Sequence, residues 1–215
     1  MSSNQARFVG TIPETYERVL GPFLFDYYAR DLAARLDAPA GGRVLEIACG
    51  TGISTEAARA ALDEDVRITA TDLNPPMLDL ARSKRGHLAG VEFRDADAQE
   101  LPYLDAFFDT LFCQFGWMFL PDKALGFREA IRVLKPGGLL WIVSAHPSHP
   151  EVYTPNHRVP GFTLAGLATL TTIPRSSLSG EYQWQGGFTF VDVALRVSST
   201  MKFPWTVVAS WLANW

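Results

Sequence analysis

The chain has 215 residues, 47% of them hydrophobic and 20% charged, which suits one globular domain with a full core and excludes a disordered chain. A formal net charge of −4 offers no basic footprint for nucleic acid or for an anionic membrane surface. The two cysteines, Cys49 and Cys113, come without CxxC or Cys/His spacing, so neither a disulfide framework nor a metal site is expected. Residues 1–10 carry no apolar leader and no run reaches membrane length, so the expected setting is reduced and cytoplasmic.

Thr11-Ile12-Pro13-Glu14 reads as a helix start, with proline in the first turn and an acid near the positive end. Leu24, Tyr28, Leu32 and Leu36 recur every fourth residue and give a second helical stretch an apolar face, ended by residues 39–42. Tyr16, Phe23, Phe25 and Tyr27 stand ahead of the first strand, where they could cover a ligand. Arg43-Val44-Leu45-Glu46-Ile47 is a buried strand, and Ala48-Cys49-Gly50-Thr51-Gly52 turns the chain into a helix over 53–62. A strand, a glycine turn and a helix N-terminus make a cradle in which a ligand can approach the backbone.

Arg67 to Asp72 is a second strand ending in a carboxylate, and Asn74-Pro75 starts the next helix, with Met77, Leu80 and Ala81 turned inward. Val91 to Asp95 is a third, weaker strand, and Phe108 to Gln114 a fourth. A helix from about Asp122 to Leu134 is stopped by Lys135-Pro136-Gly137-Gly138, and Leu139 to Ser144 is the fifth strand. Strands alternating with helices at this spacing imply an α/β fold: a doubly wound, Rossmann-like, mostly parallel sheet with helices on both faces. Its ligands bind beyond the carboxyl ends of the strands.

The tail differs in composition. Residues 152–215 hold six Asp, Glu, Lys or Arg among 64, against 36 in the first 151. Alternating Val191, Val193, Leu195, Val197, Met201 and Phe203 suggest a half-exposed strand. Residues 150–187, with four prolines, suggest a loop-rich cover.

Two ligand classes compete for the cradle. A dinucleotide fold wants G-x-G-x-x-G, and Gly50-Thr51-Gly52-Ile53-Ser54-Thr55 lacks the third glycine. Glu46 would repel a pyrophosphate and attract an ammonium or sulfonium group. Asp72 can accept both hydroxyls of a ribose, and Asp97 could accept from an exocyclic amine. Carboxylates at three successive strand tips suit a cationic, amine-bearing nucleoside such as S-adenosylmethionine. A nicotinamide-dependent oxidoreductase is the disfavoured alternative.

The motifs 44–52, 70–78, 96–102, 113–116 and 132–138 stand in the order and spacing of a known family. Over roughly residues 10–147 the chain resembles a class I S-adenosylmethionine-dependent methyltransferase of the ubiquinone/menaquinone-biosynthesis-like, type 11 group. The resemblance implies transfer of a methyl group to a small-molecule acceptor, with S-adenosyl-L-homocysteine as product. It implies that Ala48, Gly50 and Gly52 contact the methionine part, with Glu46 nearby. Asp72 would hold the ribose, Leu73 and Met77 would lie along the adenine, and Asp97 and Ala98 would border its amine. Gln114 and Phe115 would flank the methyl donor, and Tyr16 would be a lid contact. The family's sheet order is 3-2-1-4-5-7-6 with the seventh strand antiparallel. Phe188 to Phe203 resembles the sixth strand, and no seventh is evident, because only eleven residues remain from Trp205 onward. An uncovered edge there invites a homodimer through the C-terminal sheet edge.

One domain is therefore expected over 1–215: a helical cap at 1–42, a cofactor-binding core at 43–147, and a lid and strand region at 148–215. Neither nucleic acid, membrane nor metal is an expected partner. Methyl transfer needs a base only when the nucleophile must lose a proton. His146, two residues past the expected fifth strand, is the candidate. A protein that binds the cofactor without catalysis is the remaining alternative, motivated by the charge-poor tail.

Overall fold

Short runs of apolar and β-branched residues, each cut off by a turn, build one sheet whose carboxyl edge carries the functional residues. A computed structural model describes residues 12–147, 182–184 and 188–196, with side chains over 12–22 and 25–143. The strands are β1 (Arg43–Ile47), β2 (Arg67–Asp72), β3 (Val91–Asp95), β4 (Phe108–Gln114), β5 (Leu134–Pro147), β6 (Tyr182–Trp184) and β7 (Phe188–Arg196). They pair in the order β3-β2-β1-β4-β5-β7-β6. The first five are mutually parallel, and β7 runs antiparallel to both β5 and β6.

Helices cover both faces, as near-continuous apolar strands require. The N-terminal helices and α3 (Ile53–Ala61) press Leu32 and Ala58 onto Val44, Phe112 and Trp141. On the same face α4 (Pro75–Arg85) packs Leu78 on Ala70. On the other face α5 (Lys123–Val133) sets Phe127, Ala130 and Val133 against Leu111, Leu140 and Ile142. Asp122 caps α5 by accepting from the Leu125 N–H at 2.8 Å.

The N-terminal helical run is continuous, not two stretches: α1 (Ile12–Thr15) passes through a π-helix (Tyr16–Phe25) into α2 (Asp26–Ala33). Pro22 lies inside it, with no N–H to donate and a ring that crowds the preceding turn. Widening the helix relieves that crowding, and the Asp26 N–H reaches back five residues to the Gly21 carbonyl.

Two expectations at the sheet's far side are corrected. β5 begins at Leu134, five residues before the expected start, because Lys135–Gly138 form a bulge within the strand and do not precede it. Phe108 faces Leu134 and Thr110 already faces Leu139, so these residues loop out, with Gly137 at φ 85° and Lys135 Nζ bound to Asp109 at 2.8 and 2.9 Å. A seventh strand is present: Phe188–Arg196 is the antiparallel seventh, and Tyr182–Trp184 is the sixth. Only Gln185-Gly186-Gly187 separates them, the composition of a short hairpin connection, and three residues are too few to show a strand period in the sequence.

Candidate cofactor-binding site

β1 lies between β2 and β4, so the chain leaves the tips of β1 and β4 in opposite directions and a crevice opens between them. Both tips turn through the left-handed region on non-glycine residues, Ala48 at φ 55° and Phe115 at φ 56°. Such conformations concentrate where function over-determines the backbone. The two loops touch: a Cβ added to Gly116 would stand 2.2 Å from the Ala48 Cβ. Around this contact lies a cleft.

Tyr16, Ala48, Gly50, Asp72, Leu73, Met77, Asp97, Ala98, Gln114 and Phe115 all border the cleft. Glu46 and Gly52 do not. Glu46 is fully buried beneath the glycine turn, accepting hydrogen bonds at 2.5 Å from Ser54 Oγ and Thr55 Oγ1 in the first turn of α3. Burial pushes its carboxyl up to about 7, against those two hydroxyls, which favour the charged form. It ties β1 to α3 and does not border the cleft, because its side chain lies in the layer between sheet and helix. Gly52 caps α3 at φ 87°, and its missing Cβ makes room for Arg85 Cδ at 2.9 Å. Its backbone freedom serves packing behind the turn, whereas Gly50 faces open space.

Asp72 is the centre of the site. It is 6% exposed; Oδ2 accepts from the Gly50 N–H at 2.8 Å, and Oδ1 from the Asn74 N–H at 2.8 Å and Asn74 Nδ2 at 3.3 Å. Burial raises its carboxyl above the ordinary range despite the backbone and side-chain donors around it. Oδ2, with one donor, keeps a lone pair for another, whereas Oδ1 already accepts from two. Asp97 is half-buried; its Oδ1 closes a turn with the Gln99 N–H at 2.8 Å, and Gln99 in turn accepts from the Asp122 N–H. The described lining therefore carries two carboxylates and no Lys, Arg or His. Leu73 is partly exposed on the rim and Met77 is buried on the wall.

The N-terminal run closes one side. Tyr16 stacks on Phe25 with centroids 4.4 Å apart, and burial together with the nearby Asp72 charge raises its hydroxyl's pKa, keeping it protonated. Phe25 is buried against Phe115 and Tyr27 is exposed; neither lines the cleft, and the side chain of Phe23 lies outside the described residues. Glu17 fastens this run to the glycine turn, accepting from Thr51 Oγ1 at 2.5 Å and pairing with Arg85 at 2.9 Å. Arg85 also pairs with Glu56 at 2.8 Å and donates to the Thr51 carbonyl at 2.9 Å. Sequence reasoning missed this network: its members are up to 68 residues apart and carry no shared motif.

His146 lies within β5, opposite Thr189, and not beyond the strand, because β5 runs on to Pro147; its side chain is outside the described residues. Cys49 and Cys113 are free, buried and held as thiols by that burial, Cys113 being pushed up to about 12. Among the described residues no helix is long and apolar enough to cross a membrane.

Comparison with known proteins agrees with this geometry. Residues 45–142 match the family model described as a methyltransferase domain. The demethylmenaquinone methyltransferase of Deinococcus radiodurans is 37% identical over 147 residues, covering 66% of this chain and 60% of that protein. The ubiquinone/menaquinone biosynthesis C-methyltransferase UbiE of Proteus mirabilis is 38% identical, covering 47% of this chain and 41% of that one. The chain thus spans roughly half the length of the curated relatives it matches. An S-adenosylmethionine-dependent methyltransferase from Aquifex aeolicus shares the fold, with a TM-score of 0.61 at 18% identity, covering 86% of this chain and 98% of that one. Over residues 45–142 the motif order, the sheet topology and these matches identify a methyltransferase domain similar to those of S-adenosylmethionine-dependent methyltransferases.

Proposed function

We propose that the protein transfers a methyl group from S-adenosylmethionine to a small, ring-containing acceptor. The observation that carries this reading is the cleft lining: two carboxylates, Asp72 and Asp97, with no basic residue among the described ones. Such a lining favours a cationic nucleoside over a pyrophosphate. The residues fit the cofactor on further counts. Asp72 Oδ2 keeps a lone pair for a ribose hydroxyl, Asp97 Oδ2 is available to an exocyclic amine, and Gly50 leaves its side of the cleft open. Leu73 and Met77 supply an apolar wall for adenine.

The cofactor supplies a methyl group already activated on a sulfonium centre, so little covalent chemistry is asked of the protein. The chain's residues hold, align and exclude water. Asp72 and the N–H groups around it fix the nucleoside end. Tyr16 and Phe115, with Phe25 packed behind them, form the aromatic side next to which an acceptor ring can lie. The curated relatives' printed acceptors, demethylmenaquinone among them, support an aromatic or quinone-class ring. Where the acceptor's nucleophile carries a proton, His146, near the end of β5, is the candidate base. His146→Ala would then lower the methylation rate at least about 100-fold and remove the acidic limb of the pH profile.

The test is incubation with methyl-labelled S-adenosylmethionine and a demethylated naphthoquinone, kept reduced or left oxidised, with product identified by mass spectrometry. A methylated ring product supports the reading. Cofactor binding without transfer to these or to any acceptor in a metabolite extract would instead favour a cofactor-binding protein without catalysis.

A further inference from the structure

Gln114 ends β4 on the wall of the cleft and is 9% exposed. Its Nε2 donates to the Phe25 carbonyl at 3.1 Å. That carbonyl can only accept, so the amide's orientation is determined: nitrogen toward Phe25, oxygen away. The oxygen so directed is buried and has no donor. Among the described residues Tyr103 Oη, Trp117 Nε1 and Trp141 Nε1 are also buried without partners, but none of those three residues borders the cleft. Of these four groups only Gln114 belongs to a residue of the cleft wall, and a buried carbonyl is costly to leave unanswered.

The position of Gln114 narrows what that ligand group is. In the methyl-transfer reading Asp72 and Asp97 meet the nucleoside's hydroxyls and amine from the tip of β2 and the loop after β3. Gln114 stands on β4, across β1 from Asp72, and its amide is anchored to the aromatic N-terminal run. We infer that Gln114 Oε1 accepts an O–H or N–H of the methyl acceptor, and that the enzyme thereby selects acceptor rings bearing a hydroxyl or amino donor. The inference rests on the methyl-transfer reading. An acceptor offering only carbonyl or ether oxygens would set lone pair against lone pair and leave Oε1 unsatisfied. Gln114 moves no proton in this account; it is a specificity residue that recognises the acceptor through one hydrogen bond.

The test titrates the full chain, loaded with S-adenosylhomocysteine, with 1,4-dihydroxynaphthalene kept reduced and with its dimethyl ether, for wild type and Gln114→Leu. The wild-type complex should bind the dihydroxy compound at least tenfold more tightly than the ether. Gln114→Leu should shrink that ratio to about twofold while changing the dissociation constant for S-adenosylhomocysteine by less than threefold. Equal wild-type affinity for the two naphthalenes, or no binding of either, would overturn the inference. So would a tenfold loss of S-adenosylhomocysteine binding in the variant with the naphthalene ratio retained, since the amide would then serve the cofactor's own ammonium. If Gln114→Leu does not fold, Gln114→Asn withdraws the oxygen by one methylene and should show the same loss of ratio. Failure of wild type to bind S-adenosylhomocysteine would overturn the methyl-transfer reading itself and is read separately.

Discussion

Asp72→Ala probes the centre of the site most sharply. The carboxylate is buried, its two oxygens are oriented by the Gly50 and Asn74 N–H groups, and Oδ2 keeps a lone pair for one ribose hydroxyl while Oδ1 can take another in place of Asn74 Nδ2 at 3.3 Å. Hydrogen bonds to a charged partner contribute about 1.5–3 kcal/mol each, and in an open cleft water recovers part of that when they are lost. The pair should therefore be worth about 2–3 kcal/mol, a weakening of S-adenosylhomocysteine binding by about 30- to 150-fold in calorimetric titration. A pH arm adds a second signature. Burial holds the unliganded Asp72 above the ordinary carboxylate range, and ribose hydroxyls favour its ionised form. Wild-type affinity should thus be full above that raised value and fall as pH drops through it, while Asp72→Ala should show no such fall. An affinity within about threefold of wild type, or an unchanged pH dependence, would refute the assignment of the ribose to β2's tip.

Other positions make separate claims. Glu46 titrates near 7 in the fold and near 4.5 when unfolded, so folding takes up a proton between those values and stability falls as pH rises through that window. Glu46→Gln removes the fall, and its stability relative to wild type should rise by up to about 3 kcal/mol from pH 4.5 to 8; parallel denaturation curves would contradict this. Because Glu46 does not border the cleft, the same variant should weaken S-adenosylhomocysteine binding less than Asp72→Ala does. Gly116 has φ −94°, which any residue adopts, so Gly116→Ala acts through steric clash, chiefly with Ala48 and also with Cys113 Sγ at 3.0 Å. It should cost about 2–3 kcal/mol in chemical denaturation and loosen the cleft, with cofactor affinity falling alongside. Glu17→Gln removes one carboxylate from the largely buried Arg85, which keeps Glu56, and should lower stability by about 2 kcal/mol. Unchanged melting would show that Glu17 does not fasten the N-terminal run.

What the sequence revealed follows from where local chemistry marks an element. β2, β3 and β4 begin and end where the sequence reading put them, since each apolar run is bounded by a turn. The carboxylates Asp72 and Asp97 were visible because strand tips in a parallel sheet converge on one edge. The widened helix around Pro22 depends on packing, which no periodicity of four encodes. Glu46 was misplaced because a strand's pleat decides whether a tip residue faces ligand or helix, and the Ser54 and Thr55 hydroxyls that hold it lie in the next element. The β6–β7 hairpin escaped notice because Tyr182–Trp184 is too short for alternation, and Lys135–Gly138, read as a stop, became a bulge held by Lys135 and Asp109. The contact between Gly116 and Ala48 and the orphaned oxygen of Gln114 are tertiary facts that no motif announces.

The most direct measurement of the central claim is calorimetric titration of the purified full chain with S-adenosylhomocysteine, and in parallel with NAD. An acidic cleft built around Asp72 and Asp97 predicts one-site binding of S-adenosylhomocysteine at micromolar concentration and none of NAD. Binding of NAD in place of S-adenosylhomocysteine would contradict the electrostatic reading of the cleft, and binding of neither would contradict its assignment as a cofactor site.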